Sequence, residues 1–177
     1  MTEPSAVFSR PLQVSALPEG GIEDDIAATP AECAALAHEL SLPSIESLTA
    51  HFKVTPLSGG MLRVRGTVHA AFEQVCVVTM EAFATTLEEP VDLRFAPPDK
   101  AAAMAAAAAA ADDIEAEDPP DPILRERIDL GVIASEFFVL GLDVYPRKPG
   151  AVFTSGTDDT EPPSPFARLA AFKARSH

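Results

Sequence analysis

The sequence predicts an α+β domain in which two helices pack on an antiparallel β-sheet. Three observations support this: a long central stretch with apolar residues at every second position, two segments with helical spacing and helix-start signals, and glycine-rich turns. The 177 residues are enough for one hydrophobic core but not for two large domains. We therefore expect one domain over residues 1–153, followed by an acidic linker and a basic amphipathic tail over residues 154–177.

A short strand and a helix are predicted near the start of the chain. Residues 7–14 alternate in the manner of an edge strand. The helix should begin after Thr29, which acts as N-cap, with Pro30 in the first turn and Glu32 completing a capping box. Its apolar stripe should consist of Cys33, Leu36, Ala37 and Leu40.

The centre of the chain is predicted to form the sheet. Apolar and polar residues alternate from Ile45, and the alternation resumes after a turn in "PLSGG". A further extended pair is expected from "VCVVTM" and "TTLEEPVDLRF", separated by a turn near Glu81 and Ala82. The buried face should hold Leu48, Ala50, Phe52, Val54, Leu62, Val64, Gly66, Val68, Ala70 and Phe72. The opposite face should hold Arg63, Arg65 and His69.

A low-complexity segment interrupts the domain at residues 97–122, where an alanine run and a cluster of acids lie between proline-rich edges. Alanine favours the helix but offers no large side chain to anchor one. We therefore expect a disordered, partly helical, acidic insertion. After it, Asp129 should cap the second packed helix, whose sheet-facing residues are Ile133, Ala134, Phe137, Phe138 and Leu140.

The composition excludes several classes of function. A formal charge of -14 argues against a broad nucleic-acid surface, because non-specific affinity for phosphate depends on clustered Lys and Arg. The four histidines lack metal-binding spacing, and "LSGGML" lacks the Walker residues, so we predict no catalytic residue, metal, cofactor or small-molecule substrate. The chain shows no signal peptide and no apolar run of membrane-spanning length, and we expect a cytoplasmic protein without a membrane partner.

Three local groups of cations depart from this acidic balance. In "DVYPRKPGAVF", Arg147 and Lys148 lie between two prolines that favour extended backbone, close to the only tyrosine, Tyr145. The second group is the predicted strand face with Arg63, Arg65 and His69. The third is the tail "PFARLAAFKARSH", with Arg168, Lys173 and Arg175 and no acid. As a helix, the tail would carry an apolar stripe of Phe166, Leu169, Ala170 and Phe172.

Four segments occur in order along the chain: "FSRPLQVSALP", "AHFKVTPLSGGMLRVRGTVHAAFEQVCVVTMEAF", "IDLGVIASEFFVLGLDVYPRKPGAVF" and "SPFARLAAFKAR". Together they resemble the YceD family of bacterial proteins and their chloroplast relatives. Their order and spacing are most similar to the alphaproteobacterial branch. The resemblance covers nearly the whole chain apart from residues 97–122 and 154–163, and the family motif residues are Gln74, Cys76, Pro146, Pro149 and Gly150.

This resemblance implies a non-enzymatic role in the accumulation of 23S ribosomal RNA and in biogenesis of the large ribosomal subunit. Many members have a CxxC at the position of Cys76, and some carry further cysteines near the C-terminus that suggest a zinc site. Here Thr79 occupies the second position and the later cysteines are absent, so a Cys₄ or Cys₃His site cannot be assembled within this chain. We expect Cys76 to pack in the sheet instead.

Two mechanisms from different classes fit these residues. In the first, which is slightly favoured, the three cationic groups neutralise phosphates of precursor 23S rRNA while Tyr145 stacks on a base. In the second, the acidic surface holds a basic ribosomal or assembly protein, and the tail docks in a partner groove. An RNA-processing enzyme is a third and less favoured class. The same features also suit a structural role, with a rigid loop, a solvated strand face and a tail folded on its own domain.

Overall fold

The structure is a computed structural model that describes residues 6–111 and 118–153. Its strands are β1 (Pro11–Gln13), β2 (Ile22–Ala27), β3 (Ser44–Pro56), β4 (Leu62–Val75), β5 (Ala82–Ala96), β6 (Asp121–Pro122) and β7 (Arg127–Asp129). Its helices are α1 (Pro30–Glu39), α2 (Pro98–Ala111) and α3 (Leu130–Leu140). The main sheet has the order β2-β3-β4-β5-β6, with only the β5–β6 pair parallel, and β1 pairs antiparallel with β7. The predicted α+β class is confirmed.

Helices α1 and α3 pack on one face of the main sheet. The alternation of β3 and β4 places the predicted residues on that face, all of them buried except Gly66, which is half-buried. The ring of Phe72 on β4 meets the ring of Phe138 on α3 edge to face, with centroids 5.1 Å apart. The period-two pattern therefore identified the core face of the sheet correctly.

The predicted strand in "VCVVTM" is wrong, because Val75 is the last residue of β4 and the residues after it form the turn that joins β4 directly to β5. Two backbone hydrogen bonds close the turn: Cys76 N donates to Glu81 O and Met80 N to Cys76 O, both at 2.9 Å. Met80 adopts a φ of 59°, in the left-handed region that turns use. Strand β2 was missed, because its acid-rich sequence "IEDDIA" places only Ile26 in the core.

The alanine run forms a helix, as the prediction of a partly helical insertion at residues 97–122 allowed, but this helix is anchored to the domain rather than disordered. Helix α2 begins beside the end of β5, and Ala101 is buried there with its amide donating to Pro97 O at 2.9 Å. Most later alanines are exposed, so the high helix propensity of alanine and this anchored first turn support the helix together. Residues 112–117 lie outside the described ranges. Within those ranges, no helix combines the length and apolarity needed to cross a bilayer.

The start of α1 has the predicted capping box and an additional ion pair. Thr29 Oγ1 accepts from Glu32 N at 3.3 Å, and Glu32 Oε2 accepts from Thr29 N at 2.7 Å. The guanidinium of Arg10 also donates to both Glu32 oxygens, at 2.8 and 2.9 Å. Arg10 and then Thr29 lower the pKa of Glu32 from 4.5 to about 2.

The start of α3 is capped by Asp129, as predicted. Asp129 Oδ1 accepts from Gly131 N at 3.0 Å and Val132 N at 3.2 Å, and the same carboxylate accepts from Arg10 N and the Ser9 hydroxyl. A Cβ on Gly131 would lie 2.8 Å from Phe8 O, so only glycine permits this close approach. The cap therefore also fixes the N-terminal segment against α3.

The C-terminal end of α3 departs from the predicted stripe. Ile133, Ala134 and Phe138 are buried and Phe137 is half-buried, but Leu140 remains 76% exposed. Leu140 lies on the side of α3 that faces a groove toward α1 rather than the sheet. Helix α3 is apolar on more than one side, and its period alone could not assign every apolar residue to the core.

We predict that Asp129→Ala lowers the free energy of unfolding by about 2 to 3 kcal/mol, because it removes an N-cap and leaves part-buried donors without an acceptor. Urea denaturation at neutral pH would measure the change. Asp24→Ala on the exposed surface of β2 is the matched control and should cost less than about 0.5 kcal/mol. Equal effects of the two substitutions would contradict the role given to Asp129.

We predict an acid-dependent loss of stability through Glu32. Its folded pKa lies below 4.5, so the carboxylate contributes stability that is present above that pH and lost as pH falls toward about 2. Glu32→Gln should lower stability at neutral pH and flatten its pH dependence between about 4.5 and 2. Urea titrations across this range, with the exposed Glu46→Gln as control, would test it. An unchanged pH profile in Glu32→Gln would count against the ion pair.

Candidate binding surfaces

The turn between β4 and β5 is bound to the loop that follows α3. Val77 N donates to Pro146 O at 2.9 Å, and the buried Gln74 donates through Nε2 to Asp143 O at 3.3 Å. An ion pair of 3.0 Å joins Lys148 Nζ to Glu81 Oε2. The structure thus brings the family motif around Gln74 and Cys76 next to the motif around Pro146, although the two are far apart in sequence. They meet at one end of the sheet.

The motif residues Pro146, Pro149 and Gly150 determine the conformation of the loop that follows α3. Lys148 O accepts from Ala151 N at 2.9 Å across Pro149 and Gly150, and Gly150 has a φ of 79°. Proline followed by a residue with positive φ is the pattern of a type II turn. The motif residues Pro149 and Gly150 therefore have a conformational role, and Pro146 supplies the carbonyl that the neighbouring turn uses.

Exposed apolar side chains are concentrated on these two segments. We define the end surface by seven of them: Val75, Val77, Met80, Val144, Tyr145, Val152 and Phe153. Tyr145 is 72% exposed and Phe153 is 77% exposed. Elsewhere in residues 6–111 and 118–153, the exposed large apolar residues are Leu57, Leu124, Val139 and Leu140. A concentration of this kind is typical of an interaction site.

Cys76 lies in the turn beside the end surface, fully buried, and not within the sheet as we had expected. The Thr79 side chain hydrogen-bonds to its thiol and lowers the pKa of Cys76 from 9.0 to about 7, although burial opposes the shift. Backbone groups of Lys148, Thr79 and Val78 add to this effect. Thr79, at the second position of the family's CxxC, thus supplies a hydrogen bond where a cysteine would supply a metal ligand.

Possible metal ligands are not clustered in the part of the chain that the structure describes. No group of three or more His, Cys, Asp or Glu side chains there could hold an ion. Cys33 is also buried, and burial raises the pKa of its thiol. The two cysteines therefore have different environments, and Cys76 is the more acidic thiol.

The predicted cationic strand face is paired with carboxylates. Arg63 donates to both oxygens of Asp92 at 2.7 Å, and Arg65 lies 3.2 Å from one of them. The hydrogen bond from Arg63, followed by the charges of Arg63 and Arg65, lowers the pKa of Asp92. His69 Nδ1 is 3.8 Å from Glu88 Oε2. This face of the sheet therefore carries alternating positive and negative charges. A role of its cations in RNA contact stays a prediction.

The cations of the loop differ from each other in their surroundings. Lys148 is paired with Glu81, whereas the exposed Arg147 makes no ion pair with any described residue. Tyr145 is nearby, and its amide donates to Asp143 Oδ1 at 2.9 Å. The remaining predicted site residues, Phe166, Arg168, Lys173 and Arg175, lie outside the described residues.

The sequence analysis missed a groove of about 510 Å³ between α1 and α3. Its apolar lining includes Val7, Leu36, Leu40, Val132, Val139 and Leu140, and Glu39 and Glu136 also border it. We call it the α1–α3 groove. The sequence "LGVIASEFFVL" of α3 could have indicated this groove, because its apolar residues lie on more than one side of the helix. The sheet can cover only one of those sides, so a second apolar side is left for another partner.

We predict that the Cys76 thiol titrates near pH 7, below Cys33. The lowered pKa means that thiolate stabilisation is present above the ordinary pKa of 9.0 and is lost as pH falls through about 7. Thiolate absorbance in the ultraviolet would follow the titration. Thr79→Val should raise the midpoint, while Thr86→Val on exposed β5 should not. A native midpoint near 9.0, or equal shifts in both variants, would contradict this assignment.

Comparison with known families gives one match. A family model described as "Large ribosomal RNA subunit accumulation protein YceD" matches residues 64–173, more than half of the chain. No curated protein and no solved structure matches. The matched range includes the β4–β5 turn, the loop after α3 and most of the basic tail. The chain therefore belongs to the YceD family, whose description implies a role in accumulation of the RNA of the large ribosomal subunit.

Proposed function

We propose that this protein supports large-subunit ribosome biogenesis by binding rather than by catalysis, and that its end surface holds a basic protein of the assembling subunit. The family description supplies the process, the accumulation of large-subunit rRNA. The observation that carries the molecular proposal is the concentration of exposed apolar side chains on the end surface. This assigns the working contact to a protein partner.

The chemistry of the end surface suits a protein interface. Tyr145, Phe153 and Met80 belong to the residue types that are enriched at such interfaces, and each is more than 70% exposed. The loop that carries Tyr145 is held to the β4–β5 turn by a hydrogen bond and an ion pair. A surface that is already ordered loses less conformational entropy when a partner binds.

Charge supports a basic partner. The chain carries a formal charge of -14. Beside the end surface, the carboxylates Glu81 and Asp143 are accompanied by the cations Arg147 and Lys148, so the attraction comes from the net charge of the whole chain rather than from this surface. Proteins of the ribosome are typically basic because they neutralise phosphate, and opposite net charges accelerate encounter between two proteins. The net charge therefore favours a basic protein over an acidic or neutral one.

Direct RNA contact is the second candidate, and one specific observation favours it. Tyr145 and Arg147 are two residues apart, both exposed, and Arg147 has no ion pair within the described residues. A ring and a guanidinium so placed could stack on a base and contact a phosphate. On the strand face, by contrast, Asp92 would repel a phosphate that approached Arg63 or Arg65. RNA contact would thus be confined to the loop and the tail.

We predict that Val144→Ser combined with Phe153→Ser weakens binding to basic large-subunit proteins by roughly tenfold or more, because two apolar interface contacts of about 1 kcal/mol each are removed. Both residues are more than 75% exposed, so the fold should be unaffected. Pull-down of purified full chain with proteins extracted from the large subunit would measure binding. Leu57→Ser combined with Leu124→Ser, exposed elsewhere, is the matched control.

A further variant separates the two candidates. Arg147→Gln should leave protein binding largely unchanged if RNA is not the ligand, because Arg147 is not one of the apolar residues that define the end surface. Loss of crosslinking to precursor 23S rRNA in this variant, with a steep dependence on salt, would favour direct RNA contact instead. Equal protein binding by the end-surface variant and its control would overturn the proposal. Magnesium-dependent cleavage of precursor rRNA by the purified protein would point to the enzyme class.

A further inference from the structure

We infer that residues 165–175 form an amphipathic helix that docks in the α1–α3 groove of the same chain. This inference goes beyond the proposed function and is independent of it, because the α1–α3 groove and the end surface share no residue that defines either one. Docking of the tail would explain why Val139 and Leu140 of α3 are exposed in a domain that matches the family.

The α1–α3 groove has the properties of a helix-binding site. Val132, Val139 and Leu140 recur at the spacing of one helix face along α3, and Leu36 and Leu40 do the same on α1. Val139 is 44% exposed and Leu140 is 76% exposed. Apolar rows on two neighbouring helices are the usual receptor for the apolar face of a third helix.

The tail has the complementary pattern. With helical spacing, Phe166, Leu169 and Phe172 would share one face, and Arg168 and Arg175, seven residues apart, would lie on the opposite face. Lys173, four residues from Leu169, would lie within the apolar stripe, between Phe166 and Leu169. The tail therefore offers an apolar strip that carries one cation, in a form that fits a narrow groove.

Charge complementarity selects this tail as the occupant. Glu39 and Glu136 border the groove, whereas residues 165–177 contain three cations and no acid. Burial, and secondly the charge of Asp121, raise the pKa of Glu136. A lysine that arrived with the tail would favour the charged form of this carboxylate.

Chain length permits the contact. The described chain ends at Phe153, and the twelve residues before Phe166 can span up to roughly 40 Å. Helix α3 has 11 residues and is only about 16 Å long, so the reach of the linker exceeds the length of this helix. The segment from Phe166 to Phe172 would be about 9 Å long, close to the distance between Val132 and Val139 on α3.

The extent of the family match is an independent argument. The matched range ends at residue 173 and so includes both α3 and the apolar stripe of the tail. A segment that belongs to the family unit is expected to complete the domain rather than to extend from it. Together with charge, spacing and length, this favours the chain's own tail over a foreign helix as the occupant.

Disulfide trapping in the full chain would test the docking directly. Ser135→Cys in the α1–α3 groove, combined with Leu169→Cys in the tail, should form an intrachain disulfide at least tenfold faster than Glu88→Cys combined with Leu169→Cys. Glu88 is exposed on the opposite face of the sheet and serves as the matched control. The native cysteines are buried, at 3% and 0% exposure, so they should not compete.

The other occupants are distinguishable outcomes that would overturn the inference. Trapping through Met80→Cys faster than through Ser135→Cys would show that the tail covers the end surface instead. Disulfides found only between two chains would mean that the groove receives the tail of a second copy. Equal rates at all positions would mean that the tail has no docking site on the domain.

Limited trypsin digestion provides a second readout without new cysteines. Cleavage after Arg168 should be several-fold slower in the native chain than in Phe166→Ser combined with Leu169→Ser, and Leu140→Ser in the groove should also accelerate it. Ala167→Ser combined with Ala171→Ser, on the outward face of the helix, should not. Equal cleavage in the native and Phe166/Leu169 variants would contradict docking. Binding to basic proteins, measured separately, would show whether the proposed function stands when docking fails.

Discussion

The contacts of Arg10 with Glu32 and Asp129 join the two helices that cover the sheet. Its guanidinium reaches the capping carboxylate of α1, and its backbone amide donates to the capping carboxylate of α3 at 2.7 Å. The same guanidinium lies 4.7 Å from the ring centroid of Phe8, which is 1% exposed. Because one residue serves both N-caps, the separation of α1 and α3, and hence the groove between them, depends on Arg10, which lies just before β1.

The position of α3 in turn places the loop that follows it. Phe138 is fixed against Phe72 of the sheet, and the helix ends beside β5, where Gly141 lies against Glu89. The loop then contacts the β4–β5 turn, where the Val77 amide donates to the Pro146 carbonyl. Two family motifs that are far apart in sequence therefore meet because α3 places one beside the other.

The sequence predicted features that depend on local chemistry and missed those that depend on distant partners. The period of β3 and β4 identified the core, and the caps at Thr29 and Asp129 were correct, because a cap is formed by residues close in sequence. Partial helicity of the alanine run was predicted, but its anchor at Ala101 was not, since that anchor depends on the end of β5. The pairing of Arg63 with Asp92 was missed because 29 residues separate them. Hairpin register alone brings them together.

The charge arrangement also limits how this protein can meet RNA. Acids on β2 and β5 border the cations of β3 and β4, as in the pairs Lys53 with Glu23 and Arg63 with Asp92, both at 2.7 Å. This self-pairing leaves the open face of the sheet without an extended positive area. With the tail in the α1–α3 groove, Arg168 and Arg175 would point outward as a small positive patch on a strongly acidic body. Such a patch would bind one phosphate, while the surrounding negative charge would repel the rest of an RNA chain. This arrangement would lower the affinity for RNA in general and favour specificity over affinity.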